Sequence, residues 1–245
     1  DIGKEKAAEA VKTLVSSTLK AQGYKPIRSK RLTFNNATYN PAFINADCDI
    51  TVIADGLKEQ GAGRLCLYGP PGTGKTAYGH WLAEQLDRPL LVKRASDLIS
   101  MWVGGTEANI AKAFEEATKE GAVLLIDEMD SFLQDRRQAA RSWEVTEVNE
   151  MLTQMESFEG VFVASTNLME GLDQAALRRF DLKAHFDFLS AEQSVAMMIE
   201  YCSVLGIQVP NDRALAGFKP IVNLTPGDFA ALHHRSRFQP IQTPV

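Results

Sequence analysis

The chain has 245 residues, 45% of them apolar and 23% charged, which is the composition of an ordinary soluble globular protein and excludes disordered, collagen-like and coiled-coil chains. With 26 basic and 31 acidic residues the net charge is −5, so a dominant basic footprint for nucleic acid or an anionic membrane is missing. Apolar runs such as Val123–Ile126 and Val161–Ala164 fall far short of the ~20 residues that cross a bilayer, so no membrane insertion is expected.

The three cysteines, Cys48, Cys66 and Cys202, are odd in number and widely spaced, with no C-x-x-C pair. They fit a reducing, cytoplasmic setting. The chain begins with Asp1 rather than Met, as a piece of a longer protein would, and shows no amino-terminal signal pattern.

In chain order, residues 4–22 carry apolar positions at helical spacing, and Gly23 stops the run. Residues 24–48 have turn signals but no clear period. From Arg64 onward short apolar runs predict strands at Leu65–Tyr68, Leu90–Val92, Val123–Ile126, Val161–Ser165 and Ala184–Phe188. Helical patterns lie between them at 75–86, 106–119 and 143–157. Alternating strands and helices imply an α/β fold, a parallel sheet with helices on both faces. Ser190-Ala191-Glu192-Gln193 reads as a capping box that opens a helix to about Leu205. A short helix at 211–218 follows. Thr225-Pro226-Gly227-Asp228 then opens another helix, to about Arg237. The expected organisation is an N-terminal helical segment (1–30), an α/β domain (31–189) and a small all-helical unit (190–245).

Gly69-Pro70-Pro71-Gly72-Thr73-Gly74-Lys75-Thr76 satisfies the phosphate-loop pattern G-x-x-x-x-G-K-[ST]. A triphosphate needs donors on several sides at once. Glycines let the backbone curl so that its N–H groups face inward. Lys75 brings a point charge to the β/γ-phosphates, Thr76 a hydroxyl for Mg²⁺, and the following helix its positive dipole end. An apolar strand before and a helix after are the required setting. The expected nucleotide-binding set is Gly69 to Thr76 with Ala77, and the implied cofactors are ATP and Mg²⁺.

Val123–Ile126 runs into two adjacent acids, Asp127 and Glu128. Successive residues at a strand end point in different directions. One acid can therefore serve the metal and the other the attacking water: Asp127 on the Mg²⁺ side, Glu128 as the base that polarises the water. Asn167 ends the next apolar run, where its amide could hold the water or the γ-phosphate. It reads equally well as a turn former at a strand end.

With these residues assembled, the chain resembles the AAA+ ATPases, and within them the classical AAA clade. The resemblance covers about residues 30–238 and rests on motifs in family order: GPPGTGKT at 69–76, LLIDEMD at 124–130, VNEMLTQMESF at 148–158, STN at 165–167 and LDQAALRRFD at 172–181. It implies a P-loop NTPase domain with a helical lid, and a homo-oligomeric ring, usually a hexamer, with ATP between subunits. Asn167 is then the first sensor. Arg178 and Arg179 are arginine fingers reaching a neighbour's site, with Arg179 favoured and Arg178 in support. Guanidinium suits this role through its permanent charge and forked geometry. Many clade members carry a further arginine where this chain has Leu182, and the adjacent pair is similar to the katanin and spastin group. The lid helix lacks the second-sensor arginine of many AAA+ proteins. Gly227 stands there instead, either approaching the nucleotide by its backbone or serving only as a first-turn residue.

Ser100-Met101-Trp102-Val103-Gly104-Gly105 resembles the aromatic pore loop of AAA proteins that thread polypeptides, so Trp102 and Val103 are the expected substrate-gripping pair. The alternative is a Trp packed beneath the loop. Asp135, Arg136, Arg137 and Arg141 occupy the position of a second pore loop, or form a solvated charged turn. His80, Trp81, His233, His234, Met197 and Met198 read as packing or surface residues.

The resulting expectation is Mg²⁺-dependent ATP hydrolysis in a ring that remodels, unfolds or threads protein substrates. A DNA-linked loader or helicase is the alternative, opposed by the acidic charge and the Trp102 loop. A nucleotide-gated scaffold is another, opposed by Glu128 and Arg179.

Overall fold

The structure, a computed structural model, describes residues 39–133, 142–168, 173–217, 220–239 and 241. The helix expected at 4–22 and the charged segment at 135–141 lie outside the described residues.

Among the described residues six strands form one sheet: β1 (Asn45–Ala46), β2 (Gly63–Tyr68), β3 (Leu90–Arg94), β4 (Val123–Asp127), β5 (Val161–Thr166) and β6 (Leu182–Asp187), in the order β1-β6-β2-β5-β4-β3. All neighbouring pairs are parallel except β1 with β6. This is the expected α/β architecture. The register sets Leu125 beside Val163 and Leu67 beside Ala184.

The middle strands are apolar on both sides because helices cover both faces. Successive side chains alternate between them. Cys66, Leu124, Ile126, Phe162 and Ala164 point into one core. There they meet the stripe Ile110, Ala113, Phe114 and Ala117 of α4 (Gly105–Glu120, which follows the single turn α3, Ala95–Leu98). Leu65, Leu67, Leu125, Val163, Ala184 and Phe186 point into the other core, against α1 (Ile50–Gln60) and α2 (Lys75–Gln85). The Tyr78 hydroxyl of α2 donates to the Ile50 carbonyl at 2.9 Å and ties these two helices together.

Helix α1 and strand β1 are not among the elements expected from periodicity. Asp49 caps α1 by accepting the Thr51 and Val52 N–H groups at 2.9 and 3.3 Å. Gly61 closes it in the left-handed region, with φ 75°. Asp49, Gly61 and the buried spacing Ile50, Ala54, Leu57 are the signals that mark it. Strand β1 has only two residues, too few to show a period.

The single turn α5 (Asp130–Leu133) and α6 (Ser142–Ser157) follow β4, and α7 (Gln174–Leu177) precedes β6. Beyond β6 come α8 (Ala191–Leu205), α9 (Asp212–Ala216) and α10 (Pro226–Ser236). The expected capping box at Ser190 forms, and a second one opens α10. Ser190 exchanges bonds with Gln193, and Thr225 with Asp228. Leu189, Met197, Tyr201 and Phe229 make a small core of their own. The Gln193 amide donates to the carbonyls of Ala42 and Ile44, so α8 is tied to the segment before α1.

Candidate nucleotide site

The central strand β2 ends at Tyr68, and residues 69–74 curl over the start of α2. Gly69, Gly72 and Gly74 have φ of 138°, 81° and 98°, a region that side chains disfavour. A Cβ at Gly69 would run into the Phe186 carbonyl. Thr73 braces the turn by donating its hydroxyl to the Pro70 carbonyl at 2.8 Å. Pro71 is exposed at the tip, and Ala77 is half-buried in the first turn of α2.

Lys75 is only 6% exposed. Its ammonium donates to the carbonyls of Gly69 and Pro70, both at 2.7 Å, which points it back into the loop. Burial pulls its pKa down to about 8, opposed by the carboxylates of Asp127 and Asp130. A phosphate anion in the loop would add counter-charge to this buried cation.

Strand β4 lies one strand beyond β5 and delivers Asp127 to the same end of the sheet. Asp127 accepts the Thr76 hydroxyl at 2.9 Å, and also the Ser165 hydroxyl. Glu128 is exposed and holds a left-handed backbone, φ 56°, which is uncommon outside glycine. Backbone strain of this kind concentrates at functional turns. Asn167 is exposed at the end of β5. The structure therefore gathers Lys75, Thr76, Asp127, Glu128 and Asn167 at the carboxyl ends of β2, β4 and β5, where α/β sheets bind ligands.

Thr76 and Asp127 are hard oxygen donors one hydrogen bond apart, and they fit Mg²⁺. That ion takes one or two protein oxygens and completes its shell with phosphate and water. Among the described residues no group of three or more His, Cys, Asp or Glu side chains could hold a metal alone.

The start of α10 touches the loop. The Gly227 N–H donates to the Gly72 carbonyl at 2.9 Å, and a Cβ on Gly227 would lie 3.0 Å from the Gly72 Cα. Gly227 thus packs against the phosphate loop.

The arginine pair follows α7, whose first turn Asp173 caps. Arg178 is exposed. Arg179 is held within its own chain, with its guanidinium donating to the Ala175 carbonyl at 2.8 Å and its Nε 2.6 Å from a Glu156 carboxylate oxygen. These contacts of Arg179 run to α6 and α7, not to the phosphate loop. Arg64 and Asp181 brace the following turn through paired bonds at 2.9 and 3.1 Å.

The Trp102 loop follows α3, next to the sheet-edge strand β3. Met101, Trp102 and Val103 are 96%, 79% and 108% exposed. Trp102 is therefore not packed beneath its loop. The backbone is tied, by Ser100 N–H to the Thr106 hydroxyl at 3.0 Å, Trp102 N–H to the Ser100 hydroxyl at 3.2 Å and Gly105 N–H to the Trp102 carbonyl at 2.9 Å.

Sequence reasoning left out Asp130, Ser165, Thr166 and Glu156. The available signal was register. Parallel pairing of Ile126 with Ala164 sets the acids after β4 beside the hydroxyls that end β5.

The fold and this loop define a phosphate-loop nucleotide-binding α/β protein. A family model described as the ATPase family associated with various cellular activities (AAA) matches residues 65–188, just over half of the chain. The chain belongs to the AAA family. It is similar to an uncharacterised AAA family ATPase of Sinorhizobium fredii, at 36% identity over 140 residues, 55% of this chain and 42% of the relative. It is also similar to vacuolar protein sorting-associated protein 4 of Dictyostelium discoideum, at 31% identity over 188 residues, 73% of this chain and 41% of the relative. A peroxisomal ATPase of Schizosaccharomyces pombe is 33% identical over 159 residues, 60% of this chain and 17% of the relative. The chain spans less than half the length of each of these relatives. Among the described residues no helix is long and apolar enough to cross a membrane.

Proposed function

We propose that the chain is the Mg²⁺-dependent, ATP-hydrolysing unit of a ring-shaped motor that remodels or threads protein substrates. The observation that carries this is the meeting of the buried Lys75, the Thr76–Asp127 pair, Glu128 and Asn167 at one end of the sheet. In this reading the phosphates lie along the N–H groups of residues 69–76, with Lys75 against the outer phosphates. Thr76 and Asp127 would hold Mg²⁺, which would supply positive charge to the phosphate oxygens. Glu128 orients a water and takes its proton as the water oxygen bonds to the γ-phosphorus and the bond to the ADP oxygen breaks. Asn167 holds the water or the γ-phosphate.

Arg178 and Arg179 serve a neighbouring subunit of a homo-oligomer, for which a hexamer is the expected size. The exposure of Arg178 suits it to reach outward. Arg179 would first have to leave Glu156 or act by supporting Arg178. The exposed Trp102 and Val103 supply a grip on polypeptide with little sequence preference. Gly227 supports a lid that contacts the phosphate loop directly, with 190–245 as the lid and 31–189 as the ATPase domain. The three free cysteines suit a reducing cytoplasm.

Glu128→Gln is expected to keep nucleotide binding and lower kcat by about 10²–10⁴-fold. Retained turnover in this variant overturns the assignment of the base. Because the arginines act between subunits, ATPase rate per subunit is expected to rise with protein concentration. A flat specific activity across a dilution that dissociates the ring would sink the shared-site reading.

A further inference from the structure

The turn after β4 and the end of β5 are cross-linked by hydrogen bonds. The Ser165 hydroxyl donates to Asp127, and the Ser165 carbonyl accepts the Met129 N–H at 2.8 Å. The Thr166 hydroxyl donates to Asp130 Oδ1. The same oxygen accepts the Asn167 N–H at 3.1 Å. Thr166 Oγ1 in turn accepts the Leu168 N–H at 3.1 Å. Asn167 is thus bracketed on both sides. Thr166 is fully buried and Asp130 half-buried, so water competes poorly for these bonds. Glu128 sits between residues tied to β5, in a backbone conformation that needs such support.

We infer that Asp130 is a positioning residue whose one carboxylate oxygen, by accepting the Thr166 hydroxyl and the Asn167 backbone N–H, fixes the backbone that carries Asn167 toward the reacting phosphate. The inference rests on the reading of Asn167 as the residue that holds the water or γ-phosphate. Its physical content is geometric. Beyond Thr166 the sheet ladder has ended, and Asp130 supplies the acceptor that keeps the next residue in place. A displacement of 1 Å in such a group can cost about 10²-fold in rate. Asp130 also places negative charge near Lys75, so its acceptor role and its charge must be separated by experiment.

The test is steady-state ATPase and nucleotide affinity of Asp130→Ala, Asp130→Asn, Thr166→Val and Asn167→Ala in the chain, with folding checked by circular dichroism. Asp130→Ala is expected to lower kcat by about 10–100-fold while nucleotide affinity stays within about threefold. Asp130→Asn keeps an acceptor oxygen and drops the charge, so it is expected to recover most of kcat. Thr166→Val removes one of the two bonds and should fall between. Adding Asp130→Ala to Asn167→Ala should cost little more than Asn167→Ala alone, because both act on one group. Full additivity, an affinity loss that tracks the kcat loss, or Asp130→Asn as damaging as Asp130→Ala would each overturn the inference. A loss in Asn167→Ala with none in Asp130→Ala overturns it while leaving the Asn167 reading intact. Unchanged kcat in Asn167→Ala removes that reading and the inference with it.

Discussion

The phosphate loop and the Trp102 loop are built in opposite ways. Residues 69–74 leave a central strand and are held from several sides: by the Phe186 carbonyl against Gly69, by Ile44 against Gly74, and by Thr225 and Gly227 against Gly72. Residues 100–105 lie next to an edge strand, are tied through their backbone to one another and to Thr106, and turn three consecutive apolar side chains to solvent. The first design fixes donors in advance, so little ordering cost remains when an anion binds. The second leaves an exposed apolar patch that adapts to varied surfaces. In the proposed function, fixed chemistry and unselective grip occupy different loops of one domain.

Substitutions in each loop can break this contrast. The largest effect is expected from Gly69→Ala. Its Cβ would enter the Phe186 backbone and its φ is unsuited to alanine, so a loss of roughly 1–3 kcal/mol or more in stability is expected, read by thermal or urea unfolding. Gly227→Val comes next. Its side chain must push α10 off Gly72, so nucleotide affinity should fall by about tenfold with a smaller change in stability. An unchanged affinity would mean that the contact between α10 and the loop does not serve the nucleotide. Trp102→Ala should alter stability by less than about 0.5 kcal/mol, since the ring touches little. Basal ATPase should persist while stimulation by an unfolded protein is lost. A large stability change in Trp102→Ala would show that the loop is packed after all.

Much of this was legible in residue order. The phosphate loop, the Asp127-Glu128 pair and the β2, β4, β5 and β6 runs carry local signals, because glycines, a strand period and a strand end each act within a few residues. Helix α1 was legible in principle through Asp49, Gly61 and the spacing of Ile50, Ala54 and Leu57, but it was not among the elements expected from the sequence. Strand β1 was not, because two residues have no pattern and its pairing with β6 joins Asn45 to Asp187 and Ala46 to Phe186, at opposite ends of the sheet's sequence.

The sequence by itself determined the α/β alternation, the curled anion-binding loop and the acids that belong beside it, because backbone propensity and hydrophobic period are short-range. Only the tertiary structure decided how those parts meet. It set Asp127 against Thr76 and Ser165, gave Thr166 and Asn167 a common acceptor in Asp130, seated Gly227 on Gly72, paired Arg179 with Glu156, and left Trp102 in solvent. These contacts join residues far apart in the chain, and they follow from parallel register and the packing of helices on two faces, which no local window contains.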